Sequence, residues 1–109
     1  MAKFVLRNLA GTFEQNLRKI EEGILKSSFS ATLEDSTDFF GDGSRCSVRV
    51  FERYSYFGNN RVSLNVTLFE ANGNISLTAI TSGGSQAIVW KVNTIGEEQF
   101  LRCLENLFQ

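Results

Sequence analysis

Arg49, Glu52, Arg53 and Tyr54 stand close together in the middle of the chain, with Tyr56 and Arg61 following. A carboxylate, guanidinium groups and phenols are the ingredients either of acid–base chemistry or of a shallow anion site. The 109 residues contain no histidine. That removes the imidazole base, the imidazole metal ligand and every histidine-based triad. Acid–base work would then fall to Glu52. Strict alternation from Val50 to Tyr54 aims this residue at the core, where an unpaired carboxylate costs several kcal/mol or takes up a proton. A carboxyl group so placed is a candidate general acid or base, with Tyr54 or Tyr56 as its hydrogen-bond partner. The other reading is a β-bulge near Phe51–Arg53, a common device in long strands, which turns Glu52 outward and Phe51 inward.

The remaining motifs carry less chemistry. Cys46 and Cys103 belong to no CxxC pair and alternate with apolar neighbours, so they read as buried thiols. Asp38-Phe39-Phe40-Gly41-Asp42-Gly43 has the look of a calcium loop. Phenylalanine, however, occupies the third ligand position and Arg49 the twelfth, which rejects an EF-hand. Only a loose carboxylate set of Asp35, Asp38 and Asp42 is left, and no metal or cofactor is expected. Thr81-Ser82-Gly83-Gly84-Ser85-Gln86 resembles a phosphate cradle, yet strand-like Ala87-Ile88-Val89-Trp90 follows where a cradle needs a helix. With a formal charge of −1, no overall field recruits nucleic acid or an anionic membrane. The first residues form too short an apolar run for a signal peptide, and no later run could span a bilayer. The expectation is a cytoplasmic protein.

The elements that must position these residues are readable from periodicity. Lys3 to Asn8 reads as a first strand. Thr12 and Gln15 form a capping box that opens a helix to about Lys26, with Phe13, Leu17, Ile20 and Ile24 on one face. Phe29 to Glu34 alternates as a second strand, and Asp35 to Ser44 reads as an acidic loop. In the long third strand Cys46, Val48, Val50, Tyr54 and Tyr56 share a parity; in the fourth, Val62, Leu64, Val66 and Leu68 do. Asn72-Gly73 is a strong hairpin signal that pairs Leu68 with Leu77 and Val66 with Ala79. A second turn at Gly83-Gly84 pairs Ala79 with Ile88 and Leu77 with Trp90. Thr94 and Glu97 cap a terminal helix whose stripe is Phe100, Cys103, Leu104, Leu107 and Phe108. The order is strand, helix, five strands, helix. We therefore expect residues 1–109 to form a single α+β domain: an antiparallel sheet of about six strands with two helices on one face. The first strand is expected beside either the sixth or the second.

The face away from the helices is then the place for function. It should show Arg45, Ser47, Arg49, Phe51 and Arg53 on the third strand. Arg61, Ser63, Asn65, Thr67 and Phe69 follow on the fourth, with Ile80 and Val89 beyond. The interface or ligand candidates are Arg49, Phe51, Glu52, Arg53, Arg61, Asn65, Phe69, Ile80 and Val89. Three functions fit. The first is a non-enzymatic module that self-associates or binds a protein partner through this face. The second is a small-ligand carrier with a helix-grip-like cavity between the sheet and the terminal helix. The third is an enzyme built on Glu52, a tyrosine and an arginine, and the expectation is against it.

The chain also resembles a small bacterial family of uncharacterised single-domain proteins. The resemblance rests on Arg45-Cys46-Ser47-Val48-Arg49-Val50-Phe51-Glu52-Arg53-Tyr54-Ser55-Tyr56. It continues through Asn60-Arg61-Val62-Ser63-Leu64-Asn65-Val66-Thr67 and Ala79-Ile80-Thr81-Ser82-Gly83-Gly84-Ser85-Gln86-Ala87. It implies a compact module, and because the family has no assigned activity it carries over no functional residue.

Overall fold

A computed structural model describes residues 2–54, 60–83 and 100–108. The elements are β1 (Ala2–Leu6), α1 (Phe13–Lys26), β2 (Thr32–Gly41), β3 (Ser44–Tyr54), β4 (Arg61–Ala71) and β5 (Asn74–Gly83). Residues 100–106 are helical and form α2. Among the described residues the strands make one antiparallel five-stranded sheet in the order β1-β5-β4-β3-β2. Both helices bury their apolar residues in one core with the sheet: Phe13, Ile20 and Ile24 from α1, and Phe100, Leu101 and Leu104 from α2.

Local chemistry explains the frame. Asn72 and Gly73 have φ of 53° and 79°, the doubly left-handed pair that matches a hairpin to the twist of its strands. Leu68 consequently lies opposite Leu77 and Val66 opposite Ala79, as the sequence predicts. The Thr12–Gln15 capping box is also present: the Thr12 hydroxyl accepts from the Gln15 backbone N–H, and Gln15 reaches back to the Thr12 N–H. A further hairpin was hidden in the supposed acidic loop. Asp42-Gly43 turns the chain so that Gly41 faces Ser44, and Asp35 to Gly41 is strand. Its charges are tolerated because β2 is an edge strand with every residue exposed.

Two expectations are corrected. The second edge of β5 carries β1, not a sixth strand: Phe4 lies opposite Ala79 and Leu6 opposite Leu77. These are the positions the sequence reading gave to Ile88 and Trp90. Phe4 and Leu6 bring apolar side chains to the buried face from a distant part of the chain, and a local-turn argument cannot see them. The predicted sixth strand, Trp90, Val89 and the Thr94 cap lie outside the described residues.

The second correction concerns β3. Ser47, Arg49, Phe51 and Arg53 face the helices, while Cys46, Val48, Val50, Glu52 and Tyr54 occupy the opposite face. The register decides this. Arg49 lies opposite Val66, Phe51 opposite Leu64 and Arg53 opposite Val62, without a break from Ser44 to Tyr54. Directly opposed residues share a face, and Val62, Leu64 and Val66 are core. Glu52 does turn outward, but through the parity of the whole strand; the bulge expected in β3 lies instead in β2, between Leu33 and Asp35.

Gly23 sets how closely the two helices approach. A Cβ there would stand 2.5 Å from a methyl carbon of Leu107, far inside van der Waals contact. Alanine would gain roughly 1 kcal/mol of helix propensity, but overpacking costs about 1–3 kcal/mol. Gly23→Ala should therefore lower stability in urea unfolding by about 1 kcal/mol, and Leu107→Ala on that background should recover part of the loss.

Candidate functional site

The two faces of β3 carry different chemistry. On the helix face Arg45, Arg49 and Arg53 recur every fourth residue. Four strand residues span about 13 Å, and seven helical residues about 10.5 Å, so Glu14 and Glu21 of α1 can meet Arg45 and Arg49 in turn. They do. Arg45 pairs with Glu14, and Arg49 Nε donates to Glu21 Oε2 at 2.8 Å. Asp38 of β2 completes the second pair, its Oδ1 lying 3.1 Å from Arg49 Nη2. Arg49 also donates to the backbone oxygens of Val48 and Thr37 at 2.9 and 3.3 Å. Only 7% of Arg49 is exposed. Burial disfavours its charge, yet the bonds to Glu21 and Asp38 outweigh that and raise its pKa further.

The other two arginines use rings. The Arg45 guanidinium lies 4.3 Å from the centre of Phe13 and 5.0 Å from that of Phe40. Its buried Nε has no hydrogen-bond partner. Arg53, beyond the end of α1, meets α2 instead: its guanidinium lies 4.7 Å from the Phe100 ring, and Nη1 is 3.5 Å from the Cys103 sulfur. Cation–π contacts supplement or replace carboxylates along this row.

The opposite face has no helix over it among the described residues. Its lateral rows follow from the register. Phe39, Cys46, Phe69 and Ser76 form one; Thr37, Val48, Thr67, Thr78 and Val5 the next; Asp35, Val50, Asn65, Ile80 and Lys3 the third. Phe39 is 63% exposed, Phe69 47%, Val5 44% and Ile80 39%. At one end Arg61 ties down the polar groups. Its Nε donates to Glu52 at 2.6 Å, Nη2 reaches Thr32 at 3.3 Å and Glu34 at 3.7 Å, and its guanidinium stacks 5.1 Å from the Tyr54 ring.

The structure thus divides the sequence candidates. Glu52, Arg61, Asn65, Phe69 and Ile80 share the face opposite the described helices. Arg49, Phe51 and Arg53 do not; they lie on the helix side, because acids on α1 and β2 and the rings of Phe13 and Phe100 make a buried place for arginine that β3 alone cannot reveal. Val89 lies outside the described residues. Glu52 is an ion-paired surface carboxylate rather than a core one, which removes the geometry on which its acid–base candidacy rested. Cys46 and Cys103 are half-buried rather than enclosed. Asp35 and Asp38 point to opposite faces, and no cluster of three metal-binding side chains occurs among the described residues. Val48, Val50, Cys46, Phe39 and Val5 are face residues that the sequence reading missed. The Asp42-Gly43 turn was the signal that could have placed Phe39 in a strand.

A profile of the family of unknown function DUF6054 matches residues 1–109. The chain belongs to that family. Membership agrees with the expected resemblance to uncharacterised proteins. No curated protein matches the chain. Among solved structures it is similar to PA94 from Pseudomonas aeruginosa, a protein of unknown function for which a regulatory role is suggested. The two are 10% identical, with a TM-score of 0.54, over 90% of this chain and 78% of that one. At that identity the likeness concerns the fold alone. No helix among the described residues is long and apolar enough to cross a membrane.

The Arg49 cluster yields two predictions. Removing the acids leaves a buried cation, whereas removing the cation leaves acids that water can reach. In urea unfolding, Glu21→Gln with Asp38→Asn should lower stability by about 2–3 kcal/mol, and Arg49→Met by about 1 kcal/mol. The second concerns pH. The Ser47 hydroxyl, aided by Arg49 and opposed by slight burial, holds the Asp38 carboxyl below its ordinary value of 3.8. A depressed folded pKa gives stability that is complete above the unfolded value and lost as pH falls through the folded one. The stability gap between wild type and Asp38→Asn should be full near about pH 6 and should shrink as pH falls below 3.8.

Proposed function

We propose that this DUF6054 chain is a non-enzymatic interaction module that docks through the face of its sheet opposite the described helices. One observation carries the reading: the exposed rings of Phe39 and Phe69 flank Cys46, with Val48 and Val50 beside it on β3, and exposed Ile80 and Val5 lie on the same face beyond Asn65, Thr67 and Thr78. Scattered surface hydrophobes need no explanation, but a contiguous apolar field rimmed by polar groups is the usual mark of a protein contact. Here Asp35, Glu52, Arg61 and Lys3 form such a rim. The small-ligand carrier, with its cavity between the sheet and the terminal helix, has less support, since Phe100, Leu101 and Leu104 of that helix are buried in one core with Phe51, Val62 and Leu64 of the sheet.

Cys46 lies inside the field, directly between Phe39 and Phe69, and reports its occupancy without knowledge of the partner. In cells expressing the chain, Cys46 should react with a permeant maleimide at least fivefold more slowly than in dilute purified protein. Phe69→Asp should abolish that protection. Equal labelling in both settings would show the face to be free water-facing surface.

A further inference from the structure

We infer that the occupant of this face is a second copy of the chain, related by a two-fold axis parallel to β4. The inference rests on the docking face proposed above and adds the partner and its orientation. The row Asp35, Val50, Asn65, Ile80, Lys3 has a carboxylate at one end and an ammonium at the other, with an amide at the centre. Neither end group is consumed within the face: Asp35 Oδ1 accepts only from the neighbouring Ser36 backbone N–H, and both residues are exposed.

Two sheets meeting face to face under two-fold symmetry have their axis in the plane between them. An axis along the row leaves each residue opposite its own copy, so Asp35 meets Asp35 and Lys3 meets Lys3. That arrangement opposes like charges twice. An axis along β4 reverses the row. Asp35 then faces the Lys3 of the second copy, Val50 faces Ile80, and Asn65 meets its own amide, a group that both donates and accepts. In the adjoining rows Thr37 faces Val5, and Phe69 lies on Phe69. Arg61 of β4 also meets its own copy, but its charge is already answered by Glu52 and Glu34, so the second axis pairs Asp35 with Lys3 while burying the apolar residues. Aligned packing of this kind is an ordinary way for two sheets to meet.

The size of the face suits a weak dimer. Five strands about 4.8 Å apart, each contributing about seven residues at about 3.3 Å, offer about 550 Å² of projected area. A pair then hides on the order of 1,100 Å², the low end for specific interfaces, so association is expected in the micromolar range.

Sedimentation velocity over a concentration series tests this. Wild-type protein should dimerise, and Lys3→Glu or Asp35→Lys should each weaken the dimer about tenfold or more, because symmetry repeats each change. The double exchange, Lys3→Glu with Asp35→Lys, should return the dissociation constant to within about threefold of wild type. The neutral pair Lys3→Gln with Asp35→Asn should lose most of the salt dependence, a readout that stands even if a charge reversal disturbs folding. A monomer at about 1 mM, a dimer indifferent to the single changes, or failure of the double exchange to rescue would each overturn the inference. Cys46 protected in cells while the purified protein stays monomeric would overturn it too, and leave the docking face itself standing.

Discussion

Arg49 is almost fully withdrawn from water and keeps its charge because two elements reach it from different directions. Glu21 comes down from α1 and Asp38 across from the edge strand β2. A buried guanidinium without these acids would be several kcal/mol worse off, so the position of α1 over β3 is coupled to which way β3 faces. The Glu14–Arg45 pair repeats the constraint one step earlier. Together they lay the helix along the strand in matched spacing. Whether such pairs add much net stability is secondary. They select one parity of β3 over the other, and a polar group chosen for specificity has that role in other systems as well.

The choice has a consequence on the other side of the sheet. A strand has two faces and alternates between them without exception unless it bulges. Once arginine, serine and phenylalanine take the inner positions of β3, Cys46, Val48 and Val50 must go outward. They meet Phe69 of β4 and Phe39 of β2 there, and β5 and β1 add Ile80 and Val5. The apolar outer field is thus the mirror of the buried arginine row. One ion-pair arrangement accounts for both the unusual interior and the unusual exterior.

Much of the frame could be read from the sequence. The Asn72-Gly73 turn and the Thr12–Gln15 capping box act over a few residues, and both are found as expected. β4 and β5 were placed correctly because a tight turn fixes their register. Between β3 and β4 the sequence carries no two-residue turn signal to fix their register, and the hydrophobic pattern of β3 points the wrong way: Cys46, Val48 and Val50 look like a core stripe until the register with β4 is known. The carboxylates that make room for Arg49 lie far away in sequence, on two other elements. The place of β1 is hidden from local sequence for a related reason. Its pairing with β5 spans nearly the whole described chain, and local signals favour the nearer segment. The candidate site inherited both effects, so Glu52, Arg61, Asn65, Phe69 and Ile80 landed on the outer face while Arg49, Phe51 and Arg53 did not. The Asp42-Gly43 hairpin is legible as a turn signal, although the acids around it suggest a loop.

The orientation of β3 beneath the helices is most directly tested at the Arg49 side chain itself. In a nuclear magnetic resonance spectrum of the labelled protein, the Arg49 Hε should exchange slowly with solvent and show cross-relaxation to side-chain protons of α1 around Glu21. Rapid exchange with cross-peaks to Thr67 or Asn65, residues of the outer face, would contradict the account and reverse the assignment of both faces.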